Sequence, residues 1–274
     1  MHLHYIPFEI YLIWFGIVGA AAGSFFHVCV WRVPRDLSTV IPASHCPVCN
    51  THLRWYDNLP LLSYILSGAR CRYCGVQIPL RYFLYELVTA GSYMGIFWVY
   101  GLSFTTFVYI AVTSVLIIGS GIDLDYEFIP DFLSLPMIPL GVIAAGAAQY
   151  TGQLPAILVD NVTEAFIGIL VGGGIVWLVR FVGSIIFQQE AMGFGDVKHL
   201  AGLGGFLGWD YVLLCFFLAS LYASVIGLSL KFSGKMGKYG HLPFIPYLSL
   251  GAYSCFLFGK PLLEWYLTPF YAGY

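Results

Sequence analysis

The chain has 274 residues, of which 59% are hydrophobic and only 9% are charged. Soluble domains carry about 25% charged residues, so the composition excludes an ordinary soluble protein. The formal net charge of −2 says little about partners, because the distribution of the charges carries that information and their sum does not. We expect no nucleic-acid partner. The composition predicts an all-α polytopic membrane protein embedded in a lipid bilayer.

The first apolar segment, about residues 8–31, has Arg32 and Arg35 behind it and no Lys or Arg in front of it. A secretory signal has its basic residues in front, so we interpret this segment as a retained transmembrane helix. A bilayer needs about 20 residues per helix, and seven further segments come near this length. They cover roughly residues 80–100, 104–122, 132–150, 162–187, 197–209, 211–230 and 242–258. The sequence therefore predicts about eight transmembrane helices.

The Lys and Arg residues mark one side of the predicted membrane. Ten of the twelve lie in, or just beside, four alternate loops: residues 32–79, 123–131, 188–196 and 231–241. Basic loops are retained in the cytoplasm. We therefore expect these loops on the cytoplasmic side and the amino terminus on the opposite side.

The sixth segment, VKHLAGLGGFLGW, has thirteen residues and four glycines. It is short for a membrane span and too rich in glycine for a stiff helix. A tilted, broken or re-entrant piece is one interpretation. Tight helix packing through small residues is the other, and the two are compatible.

Two C-x-x-C pairs lie in the longest polar loop, residues 32–79. Cys46 and Cys49 form the first pair, and Cys71 and Cys74 form the second after 21 intervening residues. Two such pairs can close on one tetrahedral zinc ion through four thiolates. A disulfide or a redox dithiol is the alternative, but the expected cytoplasmic location keeps thiols reduced.

The cysteine loop has about 48 residues, a size at which a hydrophobic core alone seldom suffices. We therefore expect a structural zinc ion with no open coordination position. His45 and His52 lie near enough in sequence to compete as ligands, but four thiolates already complete a tetrahedral site. The other cysteines are single residues in apolar segments and are expected in the core: Cys29, Cys215 and Cys255.

Four of the fourteen acidic residues lie in SGIDLDYEFIPD, residues 120–131. Asp123 directly follows the apolar run, where a helix would leave the hydrocarbon. Asp125, Glu127 and Asp131 lie beyond it and fit a solvated cytoplasmic turn that could attract a basic peptide. Asp123 is therefore the candidate for a functional acid at the membrane edge.

Asp196 follows two glycines in GFGD, residues 193–196, and by the same topology it lies at the cytoplasmic edge. Two carboxylates within a few ångströms cannot both be ionised, so one proton is shared between them. An ionised and a protonated carboxyl side by side are what aspartyl proteolysis needs. Gly193 and Gly195 would let a substrate backbone approach and would permit dihedrals that other residues resist. The alternative is a structural ion pair of Asp196 with Lys198 or His199.

Two other functions fit parts of the sequence. A proton- or ion-coupled transporter would use intramembrane acids and a broken, glycine-rich helix as an ion path. It requires acids near the bilayer midplane, whereas these acids cluster at one edge. A zinc-containing membrane scaffold without catalysis accounts for the cysteines and leaves GFGD unexplained.

With these motifs the chain resembles the type IV prepilin peptidases. These are bifunctional leader peptidases and N-methyltransferases of bacterial inner membranes, within the GxGD class of intramembrane aspartyl proteases. The resemblance covers nearly the whole chain. It rests on the paired cysteines and on the segments GSFFHVCVWRVP, WYDNLPLLSYILSGARCRYC, RYFLYELVTA, IDLDYEFIPD and GFGDVKHLAGLGGFLG.

The resemblance implies that the two catalytic aspartates are Asp123, seven positions before the proline of IPD, and Asp196 of GFGD. It implies removal of the leader of type IV prepilins or type II secretion pseudopilins at the cytoplasmic face. Methylation of the new amino terminus with S-adenosylmethionine would follow. It also implies a location in the bacterial inner membrane with a periplasmic amino terminus.

We expect three parts: the first transmembrane helix in 1–31, a cytoplasmic zinc-binding loop domain associated with methyl transfer in 32–79, and the transmembrane peptidase body in 80–274. Two residues depart from the family pattern, because His27 stands where Asn is usual and Phe83 where Pro is usual. Both lie in the amino-terminal half, so we assign no residue to methyl transfer.

Overall fold

A computed structural model of the chain describes residues 7–41, 43–151, 158–159, 161–188, 192–234 and 242–271. Within these ranges the chain is helical and contains no β-strand, and the extended pairing consists of two isolated bridges in the cysteine loop. The predicted all-α class is confirmed. Lys235 and Lys238, which contributed to the predicted topology, lie outside the described residues.

The helices follow the predicted apolar segments closely. They are α1 (Phe8–Arg32), α2 (Leu62–Leu66), α3 (Leu80–Tyr100), α4 (Phe104–Tyr126), α5 (Asp131–Ser134), α6 (Met137–Thr151), α7 (Val162–Phe187), α8 (Phe194–Phe232) and α9 (Ile245–Tyr271). Two short 3₁₀ helices, Val33–Arg35 and Trp55–Asn58, lie in the polar loop.

Among the described residues, five helical stretches are long and apolar enough to cross a membrane. They are Phe8–Arg35, Phe104–Tyr126, Asp131–Tyr150, Val162–Ile186 and Phe194–Phe232. The chain is therefore a multi-pass membrane protein, as predicted. The predicted number of about eight spanning helices is not confirmed.

Helix α8 contains the predicted segments 197–209 and 211–230 and is interrupted at Gly208, where φ is 77° and ψ is 178°. A Cβ placed at Gly172 of α7 would lie 2.5 Å from the Leu200 carbonyl oxygen and 3.0 Å from Cγ2 of Val212. Along a straight helix Leu200 and Val212 would be about 18 Å apart. The chain therefore bends sharply at Gly208, and a positive φ of this kind favours glycine.

The described chain divides into two compact units, Met1–Ile110 and Ala111–Tyr274. In the first unit α1 packs closely against α3, since a Cβ at Gly23 would lie 2.5 Å from the Tyr85 carbonyl oxygen. Small residues permit this close approach of two helix backbones. The expected division into 1–31, 32–79 and 80–274 stays a prediction.

Gly208 divides α8 into a first arm before it and a second arm after it. In the second unit these two arms have different neighbours. The first arm contacts α6 and α7 through glycines, because Gly205 lies against Gly141 and Gly204 against Gly168. The second arm packs on α9, where the Cys215 thiol donates to the Leu248 carbonyl at 3.6 Å. Cys215 and Cys255 are fully buried and Cys29 is nearly so, which agrees with their predicted place in the core.

Helix α9 extends beyond the predicted segment 242–258. Glycine and proline in the Gly-Lys-Pro sequence at 259–261 locally disfavour a helix. In the structure the helix continues, and Gly259 accommodates the Tyr211 ring, which lies 3.0 Å from where its Cβ would be. Tertiary packing thus overrides the local helix-breaking signal.

Candidate active site and metal centre

The two cysteine pairs form two knuckles with the same backbone hydrogen bonds. The N–H of Cys46 donates to the Thr51 carbonyl at 3.0 Å, and the N–H of Cys71 donates to the Val76 carbonyl at 2.8 Å. The residue after each second cysteine has a positive φ, 55° at Asn50 and 73° at Gly75. Asn and Gly tolerate this conformation, so the local sequence favours both turns.

The four cysteine sulfurs all lie within 4.8 Å of one another. The sulfur atoms of Cys46 and Cys74, which come from different knuckles, are 3.8 Å apart. Among the described residues this is the one group of side chains that could hold a metal ion, and the neighbouring histidines are not in it. The four residues predicted as metal ligands are thus brought together.

The electrostatics of this group favour a cation. Hydrogen bonds from Thr51 lower the pKa of Cys49 to about 6. At Cys74 the Val76 backbone favours the thiolate, but lost solvation and the other cysteines outweigh it and raise the pKa to about 12. Four negative sulfurs at this spacing repel one another unless a metal ion neutralises them. The donor set fits a tetrahedral metal with no position left open.

Asp123 lies in the last turn of α4, and its side chain is only 6% exposed. The backbone N–H of Ile245, the first residue of α9, donates to its Oδ2 atom at 3.0 Å. Asp125, two residues further along the same helix, is exposed. The structure therefore separates the two aspartates in the way that the sequence analysis expected.

Asp196 lies in the first turn of α8 and is 9% exposed. Its carboxylate accepts a hydrogen bond from the backbone of Gly193, which caps the helix with φ −68° and ψ 148°. Any residue can adopt these dihedrals. The expectation that Gly193 supplies a conformation that other residues resist is therefore wrong.

The two buried carboxylates are near enough to interact electrostatically with each other. They come from opposite ends of separate helices, since Asp123 ends α4 and Asp196 begins α8. Two other charged side chains act on the pair, Glu127 on Asp123 and Arg180 on Asp196. Because two neighbouring carboxylates repel each other when both are ionised, such a pair can hold one proton between its two members.

Gly195 has a packing role. A Cβ at this position would lie 2.7 Å from Cγ2 of Ile129, which is closer than real Cβ contacts allow. Ile129 belongs to the turn between α4 and α5 and is 7% exposed. Gly195 is not among the positive-φ glycines, so the close approach and not the dihedral requires it.

The ion pairs of Asp196 that the sequence left open are not formed in the described residues. Lys198 instead pairs with Asp131, with Nζ and Oδ1 2.7 Å apart. His199 is fully buried, and neither of its ring nitrogens has a hydrogen-bond partner there. Asp196 is thus held by backbone and by its electrostatic neighbours.

The sequence analysis missed three residues of this site. Arg180 of α7 donates from Nη1 to the Met192 carbonyl at 3.0 Å, just before GFGD, but an arginine within an apolar segment gave no sign of that partner. Ile245 contributes a backbone N–H, which no side-chain pattern reveals. Ile129 is visible in sequence only as an apolar residue beside a proline.

In the first unit a buried acid was also missed. Glu86 of α3 is 8% exposed, and its Oε2 accepts the Leu61 N–H at 2.7 Å. The Ser24 side chain forms a second hydrogen bond with it. Leu61 has φ 61° and ψ −48°, so this carboxylate fixes a strained turn of the cysteine loop onto the helix pair.

Helices of membrane length, a buried pair of carboxylates at helix ends and a four-cysteine cluster define a class: a multi-pass membrane protein with an acidic site and a metal-binding loop. Comparison with known protein families agrees. Residues 17–100 match the Bacterial Peptidase A24 N-terminal domain, and residues 110–228 match the Type IV leader peptidase family.

Several curated proteins are similar over most of the chain. A prepilin leader peptidase/N-methyltransferase of Myxococcus xanthus is 36% identical over 222 residues, 81% of this chain and 64% of the relative. One of Pseudomonas aeruginosa is 30% identical, over 94% of this chain and 93% of the relative. A "Type 4 prepilin-like proteins leader peptide-processing enzyme" of Escherichia coli is 35% identical, over 85% and 88%. No solved structure matches at a significant level.

The chain belongs to the Type IV leader peptidase family. The family resemblance inferred from the motifs is therefore confirmed. The match spans slightly less than two thirds of the Myxococcus relative, so that relative contains sequence without a counterpart in the matched region.

Proposed function

We propose that this protein is an intramembrane aspartyl endopeptidase that removes the leader peptide of type IV prepilins or type II secretion pseudopilins. The bacterial inner membrane is its location, and cleavage takes place at the cytoplasmic face. Asp123 and Asp196 are the catalytic pair. The proposal draws its substrate class from the names of the relatives and its chemistry from the buried acids.

One observation carries the proposal: two buried carboxylates, each at the end of a membrane-length helix, interact electrostatically with each other. Burying two acids beside each other is costly, and such acids in membrane helices are functional by default. Their position at helix ends suits a scissile bond that lies beside a membrane-spanning segment of the substrate.

The pair would act by shared proton chemistry. The ionised carboxylate takes a proton from a water molecule as the water oxygen bonds to the scissile carbonyl carbon, and the protonated carboxyl donates to the carbonyl oxygen. The carboxyl that took the water proton then donates it to the leaving nitrogen as the carbon–nitrogen bond breaks. The other carboxylate takes a proton back from a hydroxyl of the intermediate as the carbonyl re-forms, so the pair again holds one proton. The Ile245 N–H and the Gly193 backbone orient the two carboxyl groups.

The cysteine cluster would hold one zinc ion through Cys46, Cys49, Cys71 and Cys74. Its role is structural, because four thiolates complete the coordination sphere and leave no site for substrate. The ion closes the two knuckles into one folded loop. Basic residues in the loop support its place on the cytoplasmic side.

Methylation of the new amino terminus is the second half of the proposed function, and it rests on the names of the relatives. S-adenosylmethionine would supply the methyl group. In the described part of the first unit we assign no residues to it. The buried carboxylate there, Glu86, is already bonded to Leu61 and Ser24.

The transporter alternative gains no support from the family match. Its acids would be expected near the middle of membrane helices, whereas Asp123 and Asp196 occupy the last turn of α4 and the first turn of α8. A scaffold without catalysis leaves the buried acidic pair unexplained.

Single replacements in the purified full chain test the peptidase proposal, with a prepilin as substrate and mass spectrometry of the product. We expect Asp123→Asn and Asp196→Asn each to slow cleavage by about 10²–10⁴-fold, because each removes one partner of the acid–base pair. Asp125→Asn is the matched control on the same helix end and should cleave at close to the original rate.

Near-normal cleavage by either variant of the pair would overturn the catalytic assignment. Loss of cleavage in Asp125→Asn with retention in Asp123→Asn would show that the wrong aspartate of α4 is assigned. The same spectra report a mass increase of one methyl group when S-adenosylmethionine is added, which tests the second activity independently.

A further inference from the structure

We propose that Ile129 is a positioning residue that sets the separation of Asp123 and Asp196. This inference rests on the proposed function, because it assigns a role in that reaction to a side chain outside the catalytic pair. It starts from the packing of one isoleucine against two glycines of different helices.

Ile129 reaches the helix that carries Asp123. Helix α4 ends at Tyr126, and the next residue, Glu127, has φ 56°, which turns the chain back. The Cδ1 atom of Ile129 then lies 3.2 Å from where a Cβ of Gly119 would be. Gly119 precedes Asp123 by one helical turn, so both face the same side of α4.

Ile129 also reaches the helix that carries Asp196. Its Cγ2 atom lies 2.7 Å from where a Cβ of Gly195 would be, and Gly195 directly precedes Asp196. The two contacts use different atoms of one branched side chain. Ile129 therefore stands as a wedge between the end of α4 and the beginning of α8.

The wedge has support on a third side. Ile245, whose N–H holds Asp123, places its Cγ2 atom 3.8 Å from the same Gly119 position. Ile129 is 7% exposed, so it is enclosed and cannot swing away. A packed core transmits a change of one methyl group as a shift of its neighbours. The size of residue 129 thus controls how far apart the two carboxylates lie.

The branched shape of isoleucine gives a selective test with the full chain and a prepilin substrate. Gly195→Ala collides with Cγ2, so Ile129→Ala should relieve it, whereas Ile129→Val keeps Cγ2 and should not. The new methyl group of Gly119→Ala would press on Cδ1 of Ile129. Valine has no Cδ1 atom, so Ile129→Val should restore cleavage in the Gly119→Ala variant. We expect each glycine variant alone to lose on the order of 10-fold or more in cleavage rate, and the matched double variant to recover most of its loss.

A second readout separates positioning from simple stability. Coupling between two carboxylates keeps the acidic and basic limbs of the pH–rate profile apart. Ile129→Ala removes the wedge and lets the two carboxylates approach each other, so the two limbs should move further apart. The charged groups acting on the pair, Glu127 and Arg180, stay in place in this variant.

Equal harm from Gly195→Ala in the wild-type and Ile129→Ala backgrounds would overturn the inference. So would an Ile129→Ala variant that melts at a lower temperature but keeps its pH–rate profile, since that result assigns the residue to stability alone. Failure of the proposed function is distinguishable, because it requires cleavage by Asp123→Asn or Asp196→Asn, whatever residue 129 does.

Discussion

Replacing Gly168 by alanine probes the helix crossing that carries Asp196. A Cβ at Gly168 of α7 would overlap the carbonyl oxygen of Gly204 and would lie 2.9 Å from the Gly208 carbonyl carbon. Both are backbone atoms, so no side chain can rotate away. The first arm of α8 would have to move away from α7, and the interruption at Gly208 would move with it.

The expected change in the free energy of unfolding of Gly168→Ala combines two opposing effects. Alanine is favoured over glycine inside a helix by roughly 0.5–1 kcal/mol. Forcing an extra methyl group into a packed core costs typically about 1–3 kcal/mol. Because the colliding atoms are backbone, the cost lies at the upper end, so Gly168→Ala should lower the free energy of unfolding by about 2–2.5 kcal/mol.

Gly174→Ala is the matched control, because it lies on the same helix, is exposed and has no heavy atom within 4 Å of its would-be Cβ. It should keep or slightly raise stability. The measurement is thermal unfolding of the purified protein in one detergent, followed by tryptophan fluorescence. Equal stability of the two variants would refute the crossing geometry and the reasoning from it.

Three further predictions concern the metal centre and two polar contacts. Cys49→Ser should reduce bound zinc from about one ion per chain and make the loop sensitive to protease, because the metal closes its fold; elemental analysis and limited proteolysis measure both. Lys198→Gln breaks the ion pair with Asp131, whose side chain is 59% exposed, and should change stability by no more than about 1 kcal/mol in a melting experiment. Glu86→Ala leaves the Leu61 N–H unpaired and should cost about 1–3 kcal/mol in the same experiment, whereas Glu86→Gln keeps an acceptor and should cost less. A Cys49→Ser protein that still binds one zinc ion would contradict the metal centre. A strongly destabilised Lys198→Gln variant would contradict the exposed ion pair. Equal losses of stability in Glu86→Ala and Glu86→Gln would contradict the hydrogen bond to Leu61.

The positions of the long helices were predictable because a membrane helix shows itself as a long run of apolar residues. The segment 80–100 coincides with Leu80–Tyr100, and 162–187 with Val162–Phe187. The division of 132–150 into α5 and α6 was not predicted, since a short turn inside an apolar run changes its composition little. The two predicted segments 197–209 and 211–230 agree with the two parts of α8, because its helical dihedrals are interrupted at Gly208.

The candidate site was partly predictable. Four cysteines in two local pairs predict their own assembly, because each knuckle is built from neighbouring residues. Asp123 and Asp196 were selected by their place at the ends of apolar runs, and both are buried. The reason for Gly195 was not predictable, since its partner Ile129 lies far away in sequence. Contacts between distant elements have no local signature.

The hydrogen bond between Asp123 and Ile245 has a consequence for how the protein is made. Its donor belongs to α9, the last helix that the structure describes, and the second arm of α8 packs on that same helix. A ribosome that has released only the segments up to α8 has therefore produced both aspartates but not the amide that holds the first of them. The order of synthesis thus leaves the site without this contact until α9 reaches the membrane.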